Sequence, residues 1–384
     1  MENMDVYLRL SSHPVFRDML TCPPEGVKYV TPKNGMIASR SSPVGLAKKL
    51  AWRAWTRFSP PMLTLEKGHN DLIHSCHGML LKTKDPWVID AESVLSLSNF
   101  NLRGLRNGSY RRKIIDTLAA PNCQAIMAWT EAARRSIECE FMDGRINEKL
   151  VVVTPSITVP NVNRKKEGPF RMLVVSRFFY EKGGKFALDV FDALSKRYDV
   201  EMDVLSHVPA EVKAKYAGDK RIRFIDRVFV ETGGMRELFS EFYANADMLL
   251  HLSMSDTFGL AFLEAMGSGL PVVATSNFST PELVEDGKTG LLVEPPFRTM
   301  DDRYRALYGK DIGNYDEYMT KLKSYHQKFI SDAASKVIAL IDSPTLARRL
   351  GDNGMRCVKS GRLSIFARNE GLRKAYENAL EHSL

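Results

Sequence analysis

The chain has 384 residues, with 54 Lys and Arg against 46 Asp and Glu and a formal net charge of +8. That length predicts two domains of ordinary size, and 44% apolar with 26% charged residues is the composition of a soluble globular protein. No window of about 18 apolar residues exists to cross a membrane, and the N-terminus MENMDVYLRL has neither the basic start nor the apolar core of a signal peptide. The five cysteines, Cys22, Cys76, Cys123, Cys139 and Cys357, are scattered and form no C-x-x-C, which suits free thiols in a reducing cytoplasm.

In chain order, the first notable segment is Leu46–Phe58 (LAKKLAWRAWTRF). At helical spacing, Leu46, Ala47, Leu50, Ala51, Ala54, Trp55 and Phe58 share one face. Lys48, Lys49, Arg53 and Arg57 take the other, with Trp52 near the border. Such a helix either docks on its own domain or lies on an anionic membrane surface. Asp71–His74 reads as the end of a strand. His74-Ser75-Cys76-His77 is a weak zinc candidate, because residues three apart on a strand end face opposite ways and no further ligand cluster follows. Trp87–Asp90 is the next strand end. Arg103, Arg106, Arg111, Arg112 and Lys113 form a second basic stretch, Gln124–Trp129 is a strand running into a helix from Thr130, and Lys149–Thr154 closes the series. Alternation of this kind predicts a parallel sheet with helices on both faces. The polar run Thr158–Pro169, with two prolines and no periodicity, reads as a linker.

The second half repeats the scheme, with strands expected at Met172–Val175, Glu201–Leu205, Ile222–Ile225, Met248–Leu252, Val272–Ala274 and Leu291–Val293. After the first comes Tyr180-Glu181-Lys182-Gly183-Gly184 and a periodic helix, Phe186–Tyr198. After the fourth come Asp256 and a turn, Phe258-Gly259-Leu260, that opens a helix ending at Gly267-Ser268-Gly269. A helix that starts just beyond a strand aims its free N–H groups and positive dipole end above the sheet, where phosphate commonly binds. Asp256 in the turn and Glu264 inside the helix can flank one ligand whose phosphates rest near Gly259. A sugar nucleotide fits, with hydroxyls at both ends and charge in the middle. Phe297–Ile330 reads as an inserted helical excursion, and Ala367–Leu380 as a last helix.

Asp256 and Glu264 with F-G-L between them, followed by E-A-M-G-S-G-L-P-V-V-A-T, resemble the donor-site signature of the retaining GT-B glycosyltransferases of family 4. Phe170–Phe178 (FRMLVVSRF) with Lys182-Gly183 is similar to that family's strand–G-R-x-x-x-x-K-G–helix element, with Ser176 where glycine is common. The resemblance covers about 170 to 360 well and the first half more loosely. It implies an α/β chain of GT-B architecture, two Rossmann-like doubly wound domains facing a central cleft. An acceptor domain would span 1–160 plus a crossing helix at 365–384, and a nucleotide-sugar domain 170–364. It also implies catalytic roles for Asp256, Arg177 and Lys182. Donor binding falls to Ser176, Phe258, Gly259, Leu260 and Glu264, with Glu264 on the ribose and Asp256 against the sugar. No metal or other cofactor is expected, because two cations and a helix N-terminus stabilise the leaving diphosphate. One cation about 4 Å away contributes on the order of 4 kcal/mol at an effective dielectric near 20.

Three departures qualify the likeness. Members usually carry Glu where this chain has Asp256, whose reach is about 1.5 Å shorter. The family's G-G-x-E loop after the first strand is absent, since no Gly-Gly precedes Gly183. The family's sugar-contacting histidine is not evident either; the corresponding region reads Val88–Ser93, where Asp90 or Glu92 can substitute or be plain strand-end acids. Thr130 lies in a turn like the family's V-S-E-A and is equally a good helix N-cap. The excess positive charge lies in Met1–Lys166, with 24 Lys and Arg against 15 Asp and Glu. A glycan or glycolipid acceptor carried on an anionic membrane follows from that charge, with the protein cytoplasmic and peripheral on the inner face. No nucleic-acid module is present. The expected activity is retaining, metal-independent transfer from a nucleoside-diphosphate sugar, with a catalytically silent GT-B binding or scaffold subunit as the alternative. A dinucleotide enzyme would need G-x-G-x-x-G after a strand, which is missing.

Overall fold

In the computed structural model the described residues are 4–11, 13–31, 56, 59–65, 71–162, 168–226 and 237–381. The basic amphipathic helix read at 46–58 lies outside them except for Thr56. The chain divides into two compact units. The first comprises Met1–Pro155, Met300–Gly313 and Phe366–Leu384, and the second Ser156–Thr299 and Asn314–Ile365.

The first unit holds β1 (Met4–Arg9), β2 (Val27–Val30), β3 (Met62–Thr64), β4 (Leu72–Ser75), β5 (Leu80–Lys82), β6 (Trp87–Ala91), β7 (Cys123–Ala128) and β8 (Leu150–Val152). Six of these form one parallel sheet in the order β2-β1-β4-β6-β7-β8, while β3 pairs with β5 alone. The central strands β4 and β6 are buried on both faces, as a helix-covered parallel sheet requires, and carry buried polar His74, Ser75 and Asp90 among their apolar residues. The last helix, Ile365–Glu381, is bound to this unit by polar contacts. Arg368 Nη2 donates to Cys22 O (2.6 Å), and Asn369 Nδ2 donates to Cys22 O and Pro23 O.

The second unit holds β9 (Phe170–Phe178), β10 (Val200–His207), β11 (Ile222–Ile225), β12 (Met248–His251), β13 (Val272–Thr275) and β14 (Gly290–Val293). Its order, β11-β10-β9-β12-β13-β14, is entirely parallel. The chain winds outward from β9 in one direction, then restarts at β12 on β9's other side. That reversal is a topological switch point, where the loops after two neighbouring strands part and leave a crevice at their carboxyl ends.

One stretch differs from the sequence reading. Residues 297–330 do not form a single excursion, because Met300–Gly313 packs with the first unit and the helix Tyr315–Lys323 with the second. Asp311 Oδ2 accepts from Arg103 N (2.7 Å), Tyr304 hydrogen-bonds Arg135, and the Arg305 charge acts on Glu140. These polar pairs join residues some 170 to 210 positions apart in sequence, so no local periodicity announces them.

Candidate functional site

The carboxyl ends of β9 and β12 carry most of the donor-site residues read from the sequence. After β9 the chain turns through Tyr180–Gly183 into the helix Gly184–Leu194. Gly183 has φ +77°, and a Cβ there would lie 2.0 Å from Leu252 O, so the turn presses its backbone directly against the end of β12. Met254 N donates to Glu181 O (3.0 Å) and fastens the two loops together. Lys182 is thereby delivered to the β12 loop. Its ammonium donates to Ser255 O (2.6 Å) and lies 3.1 Å from Asp256 Oδ2.

Asp256 is buried, and His251, the last residue of β12, donates through Nε2–H to the same Oδ2 at 2.7 Å. Burial alone would raise this carboxyl's pKa. The Lys182 charge and the His251 hydrogen bond outweigh it and hold the group well below the usual carboxylate range. Gly259 caps the helix Leu260–Gly267 with φ +79°, and a Cβ there would lie 3.5 Å from the Asp256 carboxyl carbon. Phe258 is buried beneath this turn, while Gly259 and Leu260 are partly open. Lys182, Asp256 and the start of that helix therefore meet at one place: a cation, an anion and a set of free N–H groups.

Glu264, a turn further along, accepts from Tyr243 O–H at 2.6 Å. Burial raises its pKa, and the hydrogen bond only partly opposes that. Ser176 Oγ donates to Ser206 Oγ (3.2 Å). Arg177 stands apart. It is exposed, its guanidinium lies over the Phe178 ring at 5.7 Å, and no carboxylate pairs with it among the described residues. His251 was not singled out in the sequence; the available signal was a histidine closing an otherwise apolar strand five residues before the acid.

In the first unit, Asp90 is consumed by structure. Its Oδ2 accepts from His74 Nε2–H (2.8 Å), and its Oδ1 from Trp129 Nε1–H (2.8 Å) and His77 N–H (3.0 Å). With the Nε2 proton given to the carboxylate, His74 Nδ1 accepts from Tyr376 O–H (2.7 Å), which in turn accepts from Tyr29 O–H (3.0 Å). His74, Cys76 and Asp90 offer ligand atoms within 4.8 Å of one another, but both ring nitrogens of His74 already have partners. The sequence reading paired His74 with His77 and missed this triplet. The signal was alternation: His74 and Cys76 share a strand face, and Asp90 sits two past Val88, the partner of His74.

Thr130 Oγ1 accepts from Ala133 N (3.1 Å) and caps the helix Glu131–Phe141. Glu92 approaches His77 Nε2 at 3.4 Å, an ion-pair distance without hydrogen-bond geometry. His77 sits at φ +60°, stacked on Trp129 (5.7 Å, 21°) and 5.1 Å from the His13 ring. His13 follows β1 and His77 follows β4, so this ring cluster occupies the switch point of the first sheet. Of the second basic stretch, Arg103, Arg106, Arg112 and Lys113 are exposed, whereas Arg111 is spent on Glu140. Among the described residues no helix is long and apolar enough to cross a membrane.

Comparisons with known proteins bear on the sequence and the fold. Residues 156–307 match the family model for Glycosyl transferases group 1. A D-inositol 3-phosphate glycosyltransferase of Corynebacterium urealyticum is 26% identical over 289 residues, 65% of this chain and 66% of that protein. The GtfA subunit of a UDP-N-acetylglucosamine–peptide N-acetylglucosaminyltransferase of Streptococcus gordonii is 26% identical over 194 residues, 48% of this chain and 36% of the relative. For several curated relatives the chain spans only 18% to 36% of their length. Among solved structures, Anabaena Alr3699/HepE, crystallised with UDP and glucose, matches with TM-score 0.58 at 15% identity, covering 98% of this chain and 100% of that one. A sucrose-phosphate synthase from Thermosynechococcus elongatus matches with TM-score 0.61 at 14% identity, covering 97% and 98%. Two parallel α/β units of this kind constitute the GT-B fold. The family match falls mostly within the second of them.

Proposed function

We propose that this protein is a retaining, metal-independent glycosyltransferase that uses a nucleoside-diphosphate sugar. The reading is carried by one observation: the Lys182 ammonium and the N-terminus at Gly259 flank the ionised Asp256 at the switch point of the second sheet. A diphosphate there meets the Lys182 charge and the N–H groups at Gly259 and Leu260, with exposed Arg177 near the end of strand β9 to swing in from solvent. Asp256 accepts hydroxyls of the donor sugar. Glu264, whose carboxyl is already fixed by Tyr243, accepts the ribose hydroxyls, and Ser176 and Phe258 shape the walls. The bond from the anomeric carbon to the phosphate oxygen breaks, the acceptor oxygen bonds that carbon from the same face, and the departing phosphate takes the acceptor's proton. Lys182 and the helix N-terminus balance the charge that develops on the leaving oxygen, which is the work a metal ion performs elsewhere.

UDP is the favoured nucleotide, since HepE was crystallised with UDP and with UDP-glucose. The acceptor is a glycan or glycolipid at an anionic membrane surface on the cytoplasmic side, which the positive excess of the first 166 residues and exposed Arg103, Arg106, Arg112 and Lys113 support. Asp90 is tied into the core, so Glu92 is the better acceptor-side acid, and Thr130 orients its own helix.

A panel of sugar nucleotides read by thermal unfolding tests the whole reading. A ligand at 100 times its dissociation constant adds about 2.7 kcal/mol of stability. The expected result is stabilisation by one UDP-sugar, unchanged by EDTA, with slow hydrolysis of the same compound. Loss of the signal on chelation overturns metal independence, and binding without turnover of donor or acceptor identifies a silent subunit instead.

A further inference from the structure

His251 is 3% exposed at the end of β12. Its ring meets Phe262 edge-on, with centroids 4.8 Å apart, and a Cβ at Gly259 would fall 2.7 Å from that same Phe262 ring. Strand end, aromatic ring and helix start are thus packed as one piece. From this piece the imidazole aims a single N–H at Asp256 Oδ2. A carboxylate can only accept, so the proton is on Nε2. Its Nδ1 is buried and has no hydrogen-bond partner among the described residues. A buried, unpartnered ring nitrogen costs free energy that a leucine at this position would not. The fold carries that cost and obtains one fixed donor on one acid.

Lys182 holds the same oxygen but on different terms. Its ammonium is shared with Ser255 O and rides on a flexible four-carbon stem. A diphosphate arriving at the helix N-terminus competes for that ammonium, and once it wins, His251 is the side chain that still orients Asp256 among the described residues. The acid is also the short one, an aspartate where the resembled family has glutamate.

We infer that His251 is a positioning residue for Asp256, holding the short carboxylate against the donor sugar while Lys182 serves the leaving diphosphate. The inference rests on the donor roles proposed above for Asp256 and Lys182.

The test compares bare nucleotides with their sugar conjugates on the full chain by calorimetry. UDP is set against UDP-glucose, UDP-galactose and UDP-N-acetylglucosamine, and GDP against GDP-mannose; the readout is the affinity gained from the sugar. In His251→Phe that gain falls about tenfold, the worth of a hydrogen bond to a charged group, while bare nucleotide binds as in wild type. The kcat for the same conjugate falls in parallel. His251→Gln, whose terminal N–H reaches about as far as Nε2, recovers both, and the shorter His251→Asn does not. Should His251→Phe fail to fold, the Gln–Asn contrast decides alone. An unchanged sugar gain in His251→Phe or His251→Asn, or an equal loss for bare and conjugated nucleotide without rescue by Gln, reduces His251 to packing and overturns the inference. A wild type that gains nothing from any sugar instead overturns the donor role of Asp256, and it does so before any variant is made.

Discussion

Lys182 and Asp256, 74 positions apart, share a 3.1 Å ion pair across the switch point of the second sheet. Neither is fully exposed, so the pair couples stability to function. Lys182→Met leaves an ionised, buried carboxylate with His251 as its remaining donor, and is expected to cost on the order of 2 kcal/mol in thermal unfolding. Turnover should fall by about two to three powers of ten. The double variant Lys182→Met with Asp256→Asn removes the stranded charge. It should regain most of the stability and none of the turnover; recovery of both would show that the cation has no part in the chemistry.

Glu264 behaves in the opposite sense. Its carboxyl is raised in the folded protein by burial, so the group favours folding fully only below its ordinary range, and that contribution is lost as pH rises through the folded value. At neutral pH an ionised Glu264 is therefore a liability. Glu264→Gln keeps an acceptor for Tyr243 and should raise the melting temperature at pH 7 by about 2–4 °C, on the order of 1 kcal/mol. The gain should vanish near pH 4. Binding of UDP should weaken in the same variant, because an amide oxygen is a poorer acceptor for ribose hydroxyls. A variant no more stable at pH 7 than at pH 4, relative to wild type, contradicts the assignment.

Both features were legible in part from the sequence. The eight-residue spacing of Asp256 and Glu264 spans a turn and the helix behind it, so local geometry alone places both acids beside the same helix N-terminus. Lys182-Gly183-Gly184 was equally readable, because a strand must turn tightly into its helix. The hydrogen-bonded partners were not. Tyr243 comes from a π-helical segment, Leu238–Tyr243, which no period marks, and His251 closes an apolar strand, where nothing in the sequence says which acid it meets. In the first unit the Asp90 network assembles from β4, β6, Trp129 in the turn after β7, and Tyr376 on the last helix. Contacts across such separations depend on sheet order, which a single sequence does not display. Arg177 shows a different limit. A motif position tells which residue is available, and here its side chain stacks on Phe178 rather than joining Lys182.

Gly183 offers a purely steric check on the loop that carries Lys182. Alanine there meets both a left-handed backbone, φ +77°, and Leu252 O at 2.0 Å. The two effects together predict a loss of about 2 kcal/mol or more, with UDP affinity falling as Lys182 is displaced. Gly218 is the matched control, since it has no positive φ and nothing within 4 Å of an added Cβ. Gly218→Ala should leave melting and UDP binding unchanged. Equal tolerance at both positions would mean that the turn is not pressed against β12.

His77 predicts a pH dependence confined to the first unit. Burial lowers its pKa, but the neighbouring Glu92 and the charge of Asp90 overcome that, so the ring titrates above its ordinary value. Beyond these acids it faces Ser11 Oγ at 3.3 Å, the His13 ring and the Trp129 face. A histidine raised in the folded state contributes stability that is complete below about pH 6.5 and fades as pH climbs through the folded value. His77→Asn should therefore destabilise more at pH 6 than at pH 9. Part of the loss is independent of pH, because the αL backbone at φ +60° is tolerated by asparagine while the Trp129 stacking is not replaced. Substituting Glu92→Gln should flatten the pH-dependent part and leave the stacking part intact. Imidazole resonances followed by NMR from pH 5 to 9 read the same quantity directly: His77 should titrate above its ordinary value in wild type and move down in Glu92→Gln. A His77 that titrates at the same pH in both proteins shows that the 3.4 Å approach of Glu92 carries no coupling.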